Sequence, residues 1–201
     1  MPEMLHPSLF LFLGALGLPF LGGRARQAWL LFVPVVVIAA VLSLAHGEYG
    51  AREFMGLALT PMRVDALSLV FATVFAIITL VGAIYALHVK DTTQHVAALL
   101  YAGSALGVVF AGDLVTLYVF WELMVFTSVW LIWCRRNPVS MAAGYRYLLV
   151  HAFGGVVLLA GVVLYYQQTG SVDFGVIEHG GAAFWLILVG FLLNAAVPPL
   201  H

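Results

Sequence analysis

The sequence predicts an all-α fold, a polytopic transmembrane bundle of about seven helices. Of its 201 residues, 64% are hydrophobic and 8% are charged, and the mean hydropathy is +1.08. Soluble domains carry about 25% charged residues, so a soluble fold of this composition would have too little polar surface. The long apolar runs also lack the alternation of a β-barrel. Lipid is therefore the expected solvent for most of the chain.

Seven apolar stretches account for the predicted helices, since a membrane-spanning helix needs about 20 residues. They cover residues 4–21, 28–46, 64–87, 94–111, 114–133, 140–167 and 182 to the last residues. The segment 47–63 is mixed in charge and rich in glycine, which predicts a loop outside the membrane or at its interface. No basic residue precedes the first run, so it is not expected to be a signal peptide.

The basic residues predict the orientation of the bundle. Loops 1–2, 3–4 and 5–6 and the adjoining start of helix six hold Arg24, Arg26, Lys90, Arg135, Arg136 and Arg146. Loop 2–3 holds Arg52 and Arg63, and loops 4–5 and 6–7 hold no lysine or arginine. Because lysine and arginine accumulate in cytoplasmic loops, the odd-numbered loops are predicted to be cytoplasmic and the N-terminus external.

Short-range signals mark several helix ends. Asp65 and Asp113 stand directly before helices three and five, where a carboxylate can accept hydrogen bonds from free N–H groups. Ser140 is predicted to cap helix six, with Pro138 preventing extension of the helix before it. The pair Gly154-Gly155 in helix six is interpreted as a position of close helix packing.

Glu122 is the acidic residue that falls well inside an apolar run. It lies roughly nine residues into helix five, about 13 Å along the axis and near the middle of a hydrocarbon core of about 30 Å. A charge there costs at least about 2.5 kcal/mol and usually serves ion or substrate movement. Low dielectric favours the neutral carboxyl and a nearby cation favours the charged one, so such a group can load and release a proton. A structural hydrogen bond to Tyr118 is the alternative.

Two further polar residues lie inside helix six. His151 can relay protons because histidine titrates near neutral pH, or it can be a hydrogen-bonded packing residue. Arg146 lies one turn from the cytoplasmic end, where it can extend to the interface or turn inward as a counter-charge. The sequence leaves both choices open.

The end of the sequence predicts a broken helix. Pro198 and Pro199 remove two backbone donors at membrane depth, and such breaks often form ion sites in transporters. The sequence ends at His201, directly after this break, so we expect a longer protein of which this is the N-terminal part.

Several segments resemble one family. Residues 112–124, Gly-Asp-Leu-Val-Thr-Leu-Tyr-Val-Phe-Trp-Glu-Leu-Met, resemble the fifth-helix motif of the antiporter-like, proton-conducting membrane subunits. This family includes the large membrane subunits of respiratory complex I and the multi-subunit cation/proton antiporters. Residues 198–201, Pro-Pro-Leu-His, resemble the start of its proline-broken seventh helix. Residues 63–68 and 145–155 are similar to parts of its third and sixth helices, and within the family the chain looks most like an antiporter D-type subunit.

The resemblance implies a fold of about fourteen helices with inverted repeats. Residues 1–63 would form helices one and two with their external loop, and 64–201 most of the first repeat. Glu122 matches the family's essential glutamate, and His201 matches the histidine of the broken helix. Asn194 stands where the family usually has a lysine, and asparagine can neither take a proton nor carry charge.

The resemblance therefore implies a proton-translocating subunit of a cation/proton antiporter or of a complex I-like NADH/quinone oxidoreductase, in a bacterial or other energy-coupling inner membrane. Glu122 would bind the proton, with His151, His201 and Arg146 as candidates for its path. Expected partners are other membrane subunits, the lipid bilayer, protons and Na⁺ or K⁺. No nucleic acid, metal, cofactor or redox chemistry is expected. A quinone- or haem-binding anchor and a structural scaffold subunit remain alternatives.

Overall fold

The computed structural model describes residues 4–195 and Val197, and it shows seven α-helices within them. They are α1 (Pro7–Gly17), α2 (Gly23–Leu42), α3 (Ala66–Tyr85), α4 (Thr92–Phe110), α5 (Leu114–Trp133), α6 (Pro138–Thr169) and α7 (Ala182–Asn194). Among these described helices, α2 to α6 are long and apolar enough to cross a membrane, and α1 and α7 are shorter apolar helices. The predicted all-α bundle is confirmed.

The starts of α3 and α6 follow from their cap residues. The Ser68 N–H donates to Oδ1 of Asp65 over 2.7 Å, and the Asp65 N–H donates to the Ser68 hydroxyl over 2.8 Å, which closes a capping box at α3. The prediction for α6 was wrong, because the cap is Asn137, whose Oδ1 accepts from the N–H of Ser140 over 2.7 Å. The helix therefore starts two residues earlier, with Pro138 in its first turn.

The cap of α3 has a pH dependence that can be measured. The hydrogen bond from the Ser68 N–H, above all, holds the pKa of Asp65 below its ordinary value. The stabilisation is present above the unfolded-state pKa and is lost as pH falls through the lower folded-state pKa. Because an asparagine side chain would keep the acceptor without titrating, the melting-temperature advantage of the wild type over Asp65→Asn should shrink as the pH falls from about 5 through the lower folded-state pKa. A pH-independent difference would contradict this assignment.

The segment between α2 and α3 contains strands that the sequence did not predict. They are β1 (Gly47–Tyr49), β2 (Arg52–Phe54), β3 (Leu57–Leu59) and β4 (Met62–Val64). β2 pairs antiparallel with β3, and β1 pairs antiparallel with β4. The inner turn has positive φ at both central residues, 51° at Met55 and 80° at Gly56, as a two-residue hairpin turn requires.

Two loops meet at the start of α5. The N–H of Thr60 donates to Oδ2 of Asp113 over 2.8 Å, and the N–H of Gly112 donates to the Thr60 carbonyl over 3.0 Å. From the α6–α7 segment, the Val172 carbonyl accepts from the N–H of Leu114 over 2.9 Å. The prediction that Asp113 caps α5 is confirmed, and the same carboxylate also holds the strand-bearing segment in place.

The opposite end of the bundle joins three loops through basic residues. Nη1 of Arg26 donates to the carbonyl of Lys90 over 2.9 Å and to Oγ1 of Thr92 over 2.8 Å. Arg136 forms an ion pair with Asp91 at 2.9 Å. The first turn of α2 and the loops before α4 and α6 therefore lie side by side, and they form the more basic end of the molecule.

The helices pack in two apolar clusters. The larger cluster contains side chains of α1, α2, α3 and α4, and the smaller cluster contains side chains of α5, α6 and α7. Helices α4 and α5 pack closely where the ring of Phe120 on α5 lies directly over Gly107 on α4. The outer face of α3 exposes large apolar side chains, including Val70, Ile78 and Val81, as a helix surrounded by lipid would.

Candidate functional site

Glu122 lies in the middle of α5 and points at α6. It is the ninth residue from Leu114, the first residue of the helix. A Cβ atom on Gly155 of α6 would lie 2.9 Å from Cδ of Glu122 and would collide with its Oε1. Oε1 is buried and has no hydrogen-bond partner among the described residues. Glu122 does not form the hydrogen bond to Tyr118 that the sequence offered as a structural alternative, and both residues are among those described.

His151 and Asn194 join α6 to α7. Nδ1 of His151 lies 2.9 Å from Oδ1 of Asn194, and His151 is buried. In this amide orientation Nδ1 of the imidazole carries the proton and Nε2 is free to accept one. Nδ2 of Asn194 is buried and, like Oε1 of Glu122, has no partner within the described residues. The residue at the expected lysine position therefore sets the tautomer of a buried histidine.

Tyr147 and Ser128 extend this group of polar side chains. The Tyr147 hydroxyl lies 2.8 Å from Oγ of Ser128 on α5, and its ring centroid lies 4.1 Å from that of His151. We call Ser128, Tyr147, His151, Asn194 and Glu122 the polar row. Sequence reasoning missed Ser128 and Tyr147. The four-residue spacing of positions 147, 151 and 155, which places these residues on one face of α6, could have identified Tyr147.

Arg146 and His201 stand apart from the polar row. Arg146 is exposed, and its side chain makes no hydrogen bond or ion pair to another described residue. It lies nine positions before Gly155, which at about 100° per residue places it on the opposite face of α6. This position favours extension to the interface over a role as counter-charge. His201, Pro198 and Pro199 lie outside the described residues, so their predicted roles stay predictions.

The chain is similar to membrane subunits of two kinds of complex. A family model described as "NADH:quinone oxidoreductase/Mrp antiporter, TM" matches residues 111–201. The A-type subunit of the Na(+)/H(+) antiporter of Alkalihalophilus pseudofirmus is 33% identical over 156 residues, which are 69% of this chain and 19% of that protein. The chain thus spans about a fifth of the length of this curated relative.

Solved structures show the same fold. A chain of respiratory complex I from Thermus thermophilus superposes with a TM-score of 0.79 at 21% identity, covering 97% of this chain and 45% of that one. A chain of the Mrp complex from Dietzia sp. DQ12-45-1b superposes with a TM-score of 0.74 at 26% identity, covering 97% of this chain and 41% of that one. The helices described above are therefore arranged as in the corresponding part of these larger membrane proteins.

Proposed function

Because this chain belongs to the antiporter-like family of membrane subunits found in NADH:quinone oxidoreductases and Mrp antiporters, we propose that it is a proton-translocating subunit of such a complex. The observation that carries the proposal is the Glu122 carboxyl, halfway along α5, with Oε1 buried against α6 and no partner among the described residues. A carboxyl in such a place needs either a bound proton or a nearby positive charge. Exchange between these two states is proton transfer.

His151 is the group in the polar row that can supply the positive charge. With Nδ1 bonded to Asn194, a proton arriving at Nε2 creates an imidazolium. That charge favours ionised Glu122, and its departure favours the protonated carboxyl. Asn194 contributes no charge at the lysine position, so it acts by orienting the imidazole. The hydroxyls of Tyr147 and Ser128 mark the direction in which the route continues along α5 and α6.

The chain is an integral membrane protein, and we propose its orientation and partners as follows. The end formed by Arg26, Lys90 and Arg136 faces the cytoplasm, or the equivalent inner side of another energy-coupling membrane. The N-terminus is external. Other membrane subunits surround it, and in an antiporter setting Na⁺ or K⁺ is exchanged for protons. The curated relative reported above is an A-type antiporter subunit, so it gives no support to the D-type assignment. The division at residue 63 stays a prediction.

Carbodiimide labelling tests the proposal without a mutation. Dicyclohexylcarbodiimide adds to a protonated carboxyl and leaves an N-acylurea, so a neutral carboxyl in an apolar site reacts readily and an ionised one in water does not. We expect peptide mass spectrometry to find the adduct on Glu122 and not on exposed Glu178. Proton transport in inverted membrane vesicles should decline in step with Glu122 labelling. Full labelling with undiminished transport would support the scaffold alternative instead.

The haem-binding alternative has no support among the described residues, and the quinone-binding alternative stays a prediction. Two histidines facing each other from the middle of helices would be needed to ligate a haem. Within the described residues, His95 and His151 are buried. His6, just before α1, is also largely buried. His95 is bonded to the carbonyl of Val89 near the start of α4, and His151 is bonded to Asn194.

A further inference from the structure

Glycines of α6 lie where side chains of neighbouring helices approach most closely. Gly144 faces the indole of Trp133 on α5, and Gly161 faces Ile187 on α7, whose Cγ1 would be 2.7 Å from an added Cβ. These two contacts are between apolar or aromatic groups, and helix packing explains them. Gly154 and Gly155 differ, because the groups that occupy the space beside them are the amide of Asn194 and the carboxyl of Glu122.

The two adjacent glycines face two different helices. An added Cβ on Gly154 would lie 3.3 Å from Oδ1 of Asn194 and 3.1 Å from Cβ of Leu193, which is tight. An added Cβ on Gly155 would lie 2.9 Å from Cδ of Glu122 and closer to Oε1, which is impossible without movement of the carboxyl. The missing Cβ at position 155 is therefore what lets the carboxyl lie directly against the α6 backbone.

We propose that Gly155 is a positioning residue for proton transfer: it provides the space that holds the Glu122 carboxyl against α6, one helical turn from His151. This inference rests on the proposed function, because it assigns Gly155 a role through Glu122. A glycine in a helix interior is less favourable than alanine, and close packing of this acidic side chain is the use that the structure shows for it. With any larger residue at 155, the carboxyl would have to turn away from α6.

Displacement of the carboxyl should reduce transport strongly. A shift of about 1 Å in a reacting group can lower a rate by about a hundredfold, so Gly155→Ala should lower proton transport by between about tenfold and a hundredfold. The pH dependence of the remaining transport should also shift, because the carboxyl leaves its surroundings. Loss of folded protein alone would reduce transport without a change in the pH profile.

A shorter acid provides the decisive comparison. Glu122→Asp withdraws the carboxyl by one methylene, or about 1.5 Å, which is enough to relieve the collision with a Cβ at 155. We expect Glu122→Asp to slow transport when residue 155 is glycine. In the Gly155→Ala background, the same change should raise transport. The double variant Glu122→Asp with Gly155→Ala should also melt at a higher temperature than Gly155→Ala alone. This second measurement applies even if the single variant folds poorly.

Gly82→Ala in α3 is the matched control, because nothing lies within 4 Å of an added Cβ at that helical position. It should transport as the wild type does. The inference is overturned if Gly155→Ala transports normally with an unchanged pH profile, or if aspartate slows transport equally in both backgrounds. If Glu122→Gln abolishes transport while Gly155→Ala is normal, the proposed function stands and only the positioning role fails. If both variants transport normally, the proposed function itself fails.

Discussion

Glu122→Gln is expected to reduce proton transport to the level of vesicles that lack the protein. Glutamine keeps the size of the side chain and most of its hydrogen-bonding capacity, but it neither binds nor releases a proton. The neutral amide also removes the need for a counter-charge at the centre of α5, so folding should be retained. The measurement is the response of a pH-sensitive dye in inverted membrane vesicles from cells that carry the variant at the native locus.

Glu178→Gln is the control for this variant. Glu178 lies exposed in the segment between α6 and α7, so this variant makes the same chemical replacement without touching the polar row. Transport should be unaffected, and both proteins should be present in the membrane in equal amounts. Transport by Glu122→Gln at more than a small fraction of the wild-type rate would show that protons do not pass through this carboxyl.

Asp113→Ala should have the largest effect on stability. The fully buried carboxylate accepts from the N–H of Thr60, the N–H of Thr116 over 2.7 Å and the hydroxyl of Thr116 over 2.6 Å. Alanine leaves three donors without partners, and each such donor costs about 1–3 kcal/mol, so we expect a loss of at least about 3 kcal/mol. Thermal unfolding in detergent measures the loss. Limited proteolysis should show earlier cleavage in the segment 47–64, which the same carboxylate holds.

Two variants isolate the cause of this loss. Asp65→Ala removes a cap of the same residue type from an exposed position and should cost only about 1 kcal/mol. Asp113→Asn keeps one acceptor oxygen and should fall between the wild type and Asp113→Ala. If Asp113→Ala were no more harmful than Asp65→Ala, the carboxylate would be an ordinary cap and the segment 47–64 would be held by other contacts.

The helices could be predicted because membrane spans depend on composition within a short window. α5 begins and ends where the sequence placed it, since Asp113 precedes a continuous apolar run. α6 starts earlier than predicted, because Asn137 and Ser140 are both good cap residues and Pro138 fits the first turn of a helix that Asn137 caps. The four strands were missed because each has three residues and is defined by its partner strand across the turn at Gly56.

The candidate site was predictable only in part. A carboxyl in an apolar run is visible from composition alone, so Glu122 could be proposed without knowledge of its neighbours. Its contact with Gly155 and the bond between His151 and Asn194 join residues far apart in the sequence, and periodicity carries no information about which helices meet. The exposed side chain of Arg146 likewise depends on the rotation of α6, which its packing on α5 and α7 sets.

The glycine contacts of α6 also limit how this protein can be stabilised for experiments. Replacing helical glycines with alanine is a common route to greater thermostability, because alanine reduces the conformational freedom of the unfolded chain. In this bundle the route is open at Gly82, where an added methyl group meets no other atom within 4 Å. At Gly161 and Gly190 the same change would push α6 and α7 apart. Stabilising glycine-to-alanine substitutions should therefore be made on helices that face lipid. A screen that selects for heat resistance alone would leave the α6–α7 contact unchanged.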